Sequence, residues 1–275
     1  MAMIPLPERT GDTGRTGSAD WADARDASRA FGQRLCTTDA MRTLADAFAG
    51  CAPEDAEEAA ARAERLFADI GWLERIFDSL LGEMARVPLL DPPLRAGRDR
   101  AQAALVLHDG PVAHVALRME RRDAMPDPEK LPVTLAVPGR VTITRHVRPG
   151  GVRLLRWHVG TVGPDFTRAA AAPARALPAI VPAPGAVLRC DGRCEGEIAV
   201  GGSGCRLALV AEIKAGAAPL ARGYRIADGA LVQIVSADDA ASRSEMLLAY
   251  LRHAGRRDAG ARFDAATRDR AFHTR

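Results

Sequence analysis

With 275 residues, 47% of them apolar and 27% charged, the chain has the composition of a globular protein of one large or two small domains, not of a disordered one. Its net charge of +3 sits in the last twenty residues, where six arginines meet three aspartates, while the other 255 residues balance at 32 basic and 32 acidic. A neutral body speaks against a nucleic-acid partner, whose binding rests on phosphate neutralisation.

No basic segment followed by an apolar run opens the sequence, and no run approaches the roughly 18 apolar residues of a membrane helix. Five cysteines, an odd number, fit free thiols better than a disulfide framework. The expectation is a cytoplasmic protein away from membranes.

Residues 1–17, rich in Pro, Gly and Thr, read as a mobile arm. A helical region follows over 18–98. Ser18 can cap a first helix carrying Trp21 and Phe31. In "TTDAMRTLADAFAG", Met41, Leu44, Ala45 and Phe48 recur at helical spacing before Gly50. Pro53 and the acids Glu54, Asp55, Glu57 and Glu58 suit the start of a third helix running through Leu66 and Phe67. A fourth, from Trp72, carries Leu73, Ile76, Phe77, Leu80, Leu81 and Met84 and ends before Pro88.

Beyond the Pro-rich stretch 87–97 the pattern changes to short apolar runs with close turns. Asp-Gly turns at Asp109-Gly110, Asp191-Gly192 and Asp228-Gly229 each predict a β-hairpin. The Gly-rich stretch "AVGGSGCRLALVAEI" (199–213) and "RHVRPGGVRLLRWHVG" (145–160) predict two more. Residues 99–236 therefore read as an antiparallel sandwich or barrel. A closing helix over 237–255 is capped by Ser236 and Asp239 and presents Leu247, Tyr250 and Leu251, and an Arg-rich tail occupies 256–275.

The 145–160 stretch raises the question of a site. From Lys130 to Pro164 there are six basic residues and no acid. With a two-residue turn at Pro149-Gly150, Arg140, His146, Arg148, Arg153 and Trp157 share one strand face. Arginine forks match carboxylate and phosphate oxygens in pairs, so this face is the candidate site for a small anionic ligand, with Trp157 as an apolar wall. A competing use is docking: residues 53–83 hold nine acids against three arginines, and the acidic helices and basic hairpin would meet within or between chains.

Other constellations carry less. His146 and His158 fall on opposite faces in that register and ~13 Å apart in the next one, too far for one metal with ligand bonds of ~2.0–2.1 Å. A metal would have to be drawn from His108, His114, His146 and His158 on several strands. Cys190, Cys194 and Cys205 lack zinc spacing. Glu195 and Glu197 share a strand face ~7 Å apart, the arrangement of a carboxylate pair but also of a solvated strand face.

The segment "VPAPGAVLRCDG" (181–192), a Pro-Gly turn entering a short strand amid the short strands of residues 100–235, resembles the cupin family. The resemblance implies a double-stranded β-helix, or jelly roll. Cupin enzymes carry His-x-His, then Glu, then a later His; here His108, His114 and Glu120 are spaced differently, and no histidine follows the Pro-Gly segment in the β-region. No metal ligand carries over. The resemblance thus implies a barrel that binds or scaffolds.

The sequence therefore reads as α+β: a helical N-terminal region, an antiparallel β jelly roll or barrel, and a C-terminal helix. Its leading function is a non-catalytic ligand-binding or regulatory protein with no cofactor, with the helical region as a homodimer or partner-protein surface. The alternatives are an atypical metal-dependent cupin-type enzyme and a structural interaction module. Bound metal would favour the enzyme, a basic face covered by acidic helices the structural module, and an open basic cavity the binding protein.

Overall fold

The structure is a computed structural model and describes residues 18–162, 166, 168, 169, 171–236, 239–256 and 260. The expected arm and most of the Arg-rich tail lie outside them. No described helix is long and apolar enough to cross a membrane.

The fold is α+β: helices first, then antiparallel sheets in a sandwich-like β-domain, then a closing helix. The described chain forms two compact units. In the first, which runs to Arg42 and resumes over Gly71–Pro93, helix α1 (Ser18–Cys36) packs on helix α4 (Gly71–Arg86). Phe31, Leu35, Trp72, Leu73, Ile76 and Leu80 are buried, as the helical spacing predicts, whereas Trp21, Leu81 and Met84 are exposed. Arg34 reaches Glu83 across this unit at 3.0 Å. Helix α2 (Asp39–Asp46) spans the division between the units.

The second unit holds helix α3 (Ala56–Ala68), twelve strands and helix α5 (Asp239–His253). Asp55 caps α3 by accepting the Glu58 N–H at 2.9 Å. The strands are β1 (Ala96–Arg98), β2 (Gln102–Asp109), β3 (Ala113–Glu120), β4 (Thr134–Val137), β5 (Val141–Arg148) and β6 (Arg153–His158). They continue with β7 (Arg175–Ile180), β8 (Val187–Asp191), β9 (Glu195–Val200), β10 (Arg206–Ile213), β11 (Leu220–Arg225) and β12 (Leu231–Ser236). Three antiparallel sheets result: a six-stranded one ordered β1-β2-β3-β10-β5-β8, and three-stranded ones ordered β12-β11-β4 and β7-β6-β9.

Two expected hairpins form, β2–β3 and β11–β12. The other three are corners. Strands β5 and β6, β8 and β9, and β9 and β10 each lie in different sheets, so the turns between them carry the chain from one layer to another. Glycines make two of these corners. Gly150, Gly151, Gly201 and Gly202 all have positive φ, and the Gly150 carbonyl accepts from the Ser203 and Gly204 N–H groups at 2.8 and 3.2 Å. A Cβ at Gly150 would stand 2.8 Å from the Gly204 oxygen, so only glycine lets the two corners meet backbone to backbone.

Strand alternation gives the six-stranded sheet two unlike faces. Val141, Ile143, Leu209, Ala211 and Val115 form an apolar face, which α3 covers with Ala59, Ala60, Ala63 and Phe67. The opposite face carries Thr142, Thr144, His146, Cys190, Arg118, Glu120 and Glu212. It turns toward the β7-β6-β9 sheet, whose Arg156, Glu195 and Glu197 surround Cys190 electrostatically. The far face of that sheet packs Trp157 into a core with Leu135, Val137, Val159 and Tyr224.

Candidate functional site

The five residues assigned to an anion site are not brought together. Arg140 immediately precedes β5 and Arg148 ends it, eight residues on, which at ~3.3 Å per residue is ~26 Å. Arg148 and Arg153 are exposed on either side of the corner, while Trp157 is buried in the core on the far side of its sheet. His146 is fully buried. Because β5 and β6 do not pair, the shared face that united these residues does not exist.

Part of the basic surplus is used in docking α3. Arg145 donates through Nη1 to the carbonyls of Phe67 and Ala68 at 2.5 and 3.0 Å, satisfying two orphan acceptors at the end of that helix. Arg189 and Arg193 both pair with Glu57 at 2.7 Å, at the helix start. Their guanidinium groups hold the Glu57 carboxyl below its ordinary range.

The four histidines are also dispersed. His108 stacks on Phe48 at 5.6 Å, His114 lies 3.3 Å from Asp109, and His158 is exposed at the end of β6. Among the described residues no three His, Cys, Asp or Glu side chains converge as metal ligands. The one sealed imidazole, His146, faces the positive charge of Arg206, and burial pushes the Cys190 thiol, opposite Thr142 further along the same face, up to about 12. This donor set does not fit a resident cation.

What the fold does assemble lies between the two facing sheets. A pocket of about 450 Å³ is lined by Gln102, Glu120, Pro126, Glu197 and Arg206, with Met125 at its side. Arg206 begins β10 directly after a glycine corner, and its neighbour across the ladder is Glu120 at the end of β3. Its Nη1 donates to Glu120 Oε2 at 2.8 Å, while Nε is buried without a partner. The residue is 8% exposed.

On the opposing sheet, Arg156 pairs with Glu195 at 2.7 Å and stands across from Glu197 on β6. Glu197 is partly buried and forms no hydrogen bond or ion pair among the described residues. Burial pushes its carboxyl above the ordinary range, against the pull of Arg206 and Arg156. Behind Arg206, both ring nitrogens of His146 are unpartnered, and burial beside that guanidinium lowers the imidazole to about 4.

Of this set, the sequence singled out the Glu195–Glu197 spacing and His146 but missed Arg206, Arg156 and the role of Glu120. The available signal was alternation: Arg118 and Glu120 on β3, two residues apart, and Arg206 and Glu212 on β10, six apart, put opposite charges on one face of largely apolar strands. Arg206 opposes Glu120 in the ladder, and Arg118 pairs with Glu212.

No family model matches the chain, and no curated protein does. Solved structures give low-scoring likenesses. A cupin-superfamily sugar phosphate isomerase from Silicibacter pomeroyi is 12% identical, with a TM-score of 0.25 over 46% of this chain and 65% of that one, just under two thirds of its length. A cupin-2 domain protein from Rhodospirillum rubrum is 14% identical, at 0.25 over 63% and 87%. A hydroxypropylphosphonic acid epoxidase from S. wedmorenis is 13% identical, at 0.28 over 72% and 100%.

Proposed function

We propose that the β-domain is a non-catalytic binding module for a small anionic molecule, held in the cleft between Glu120, Glu197 and Arg206. The observation that carries this reading is the Nε–H of Arg206, a charged donor that is buried, unpartnered and part of a residue lining an open pocket. A buried donor left unsatisfied costs ~1–3 kcal/mol, more when charged, and a ligand oxygen placed there would recover that cost. Glu120 holds the guanidinium from its other side and so fixes the direction in which Nε–H points. His146 supports a binding rather than a catalytic role, because it is sealed from solvent and has no route to exchange protons with a ligand.

The test is calorimetric titration with acetate, succinate, benzoate and inorganic phosphate against the wild type and Arg206→Lys. Lysine keeps the charge but lacks the fork. A charged hydrogen bond contributes ~1.5–3 kcal/mol, so the variant should bind about ten- to a hundredfold more weakly. Failure of every acid to bind, or equal binding by Arg206→Lys, refutes the reading.

A second reading has its own observation. The pairing of Glu57 with Arg189 and Arg193, and of Arg145 with the end of α3, supports a structural use for much of the basic charge. It accounts for the outer face of the six-stranded sheet but not for the unpartnered groups on the inner one.

A further inference from the structure

We infer that Glu197 recognises the ligand as a protonated carboxyl, so that a ligand carboxylate is held between two donors, the Nε–H of Arg206 and the O–H of Glu197, and its binding takes up one proton. This rests on the anion-binding reading above and adds to it the class of ligand, a carboxylate, and the residue that selects it. Glu197 and Arg206 line the same pocket from opposite sheets; Arg206 Nε is buried without a partner, and Glu197 forms no hydrogen bond or ion pair among the described residues.

The charges facing Glu197 decide its state in the complex. They are the guanidinium groups of Arg206 and Arg156 and the carboxylates of Glu195 and Glu120. Arg206 is paired with Glu120 and Arg156 with Glu195, so two guanidinium groups are shared among three carboxylates and one negative charge stays uncompensated. An incoming carboxylate would therefore meet an uncompensated negative charge if Glu197 were ionised. Taking up a proton removes that repulsion and turns an acceptor into a donor. The free carboxyl is already displaced in this direction by burial. The step is a proton transfer from solvent to a Glu197 carboxylate oxygen; no other bond forms or breaks.

The experiment uses the full chain and the tightest-binding carboxylate among acetate, succinate and benzoate, titrated from pH 6 to 8.5 in buffers of different ionisation enthalpy. The expected result is uptake of close to one proton at the upper end, with affinity falling about tenfold per pH unit there. Glu197→Gln, whose amide donates at every pH, should bind without proton uptake and exceed the wild type at pH 8.5. If the wild type binds independently of pH, or Glu197→Gln loses affinity at every pH, Glu197 takes up no proton to hold the carboxylate and the inference is overturned. In that case the loss in Arg206→Lys still upholds the anion site. If no carboxylate binds, both fall together.

Discussion

Replacing His146 by leucine should leave the protein at least as stable at pH 7 and progressively more stable than the wild type as the pH falls. The imidazole has no exposed surface and neither ring nitrogen has a partner. At pH 7 the substitution removes unsatisfied polar atoms at nearly constant volume, a change worth ~1–2 kcal/mol in favour of the variant. The pH dependence follows from the imidazole's position, ordinarily 6.5 and lowered to about 4 in the fold by burial and the Arg206 charge. The unfolded chain therefore takes up its proton first. Wild-type stability is unaffected well above pH 6.5, declines as the pH falls below it, and loses no more from this residue once the folded form protonates near pH 4. Each tenfold difference in proton affinity corresponds to ~1.4 kcal/mol, so the total loss is ~3 kcal/mol. Urea unfolding followed by tryptophan fluorescence at pH 7, 6, 5 and 4 measures it as the difference between the two proteins, in which groups titrating alike in both cancel. A difference that stays constant across that range would refute the burial argument, and with it the sealed inner layer behind the pocket.

Arg145→Met should cost ~1.5–3 kcal/mol and raise amide hydrogen exchange in α3, because the carbonyls of Phe67 and Ala68 lose a charged donor. Glu57→Gln should cost under ~1 kcal/mol in the same unfolding assay despite its two arginine partners, because its side chain is 62% exposed. Gly229→Ala should lower the melting temperature, at a cost of ~1–3 kcal/mol. Its φ is +72° and the new Cβ would collide with the Ala174 carbonyl oxygen. Phe67→Ala, which empties the centre of the α3 layer, should cost ~3–5 kcal/mol by the same measurement.

The helices were legible in the sequence because their signals are local: the Asp55 cap, the acids of the first turn of α3, the spacing of Leu73, Ile76 and Leu80. The β2–β3 and β11–β12 hairpins were legible for the same reason. The corners were not, because glycine turn chemistry serves a hairpin and a change of sheet equally well. What decides between them is the insertion of β10 between β3 and β5, a pairing set by residues more than fifty positions apart. Strand β7 was hidden by Pro178, which a sheet tolerates here because β7 is an edge strand. The anion site suffered most. Its residues were grouped on a shared face that the corner at Gly150 dissolves, whereas Arg206 and Glu197 come together only through the packing of two sheets.

The backbone clasp between the two glycine corners bears on how this protein can vary. Surface loops ordinarily tolerate insertions and deletions, and these two look like such loops in sequence. Here the carbonyl of Gly150 is tied to Ser203 and Gly204, and Arg206 follows two residues later. One residue added or removed between Gly204 and Arg206 would advance β10 by a single step against β3, and a single step turns every side chain of a strand to the opposite face. Arg206 would then point toward the α3 layer, and the pocket would lose its guanidinium with no amino acid substituted. The length of this loop is therefore part of the pocket's specification, as much as the arginine itself.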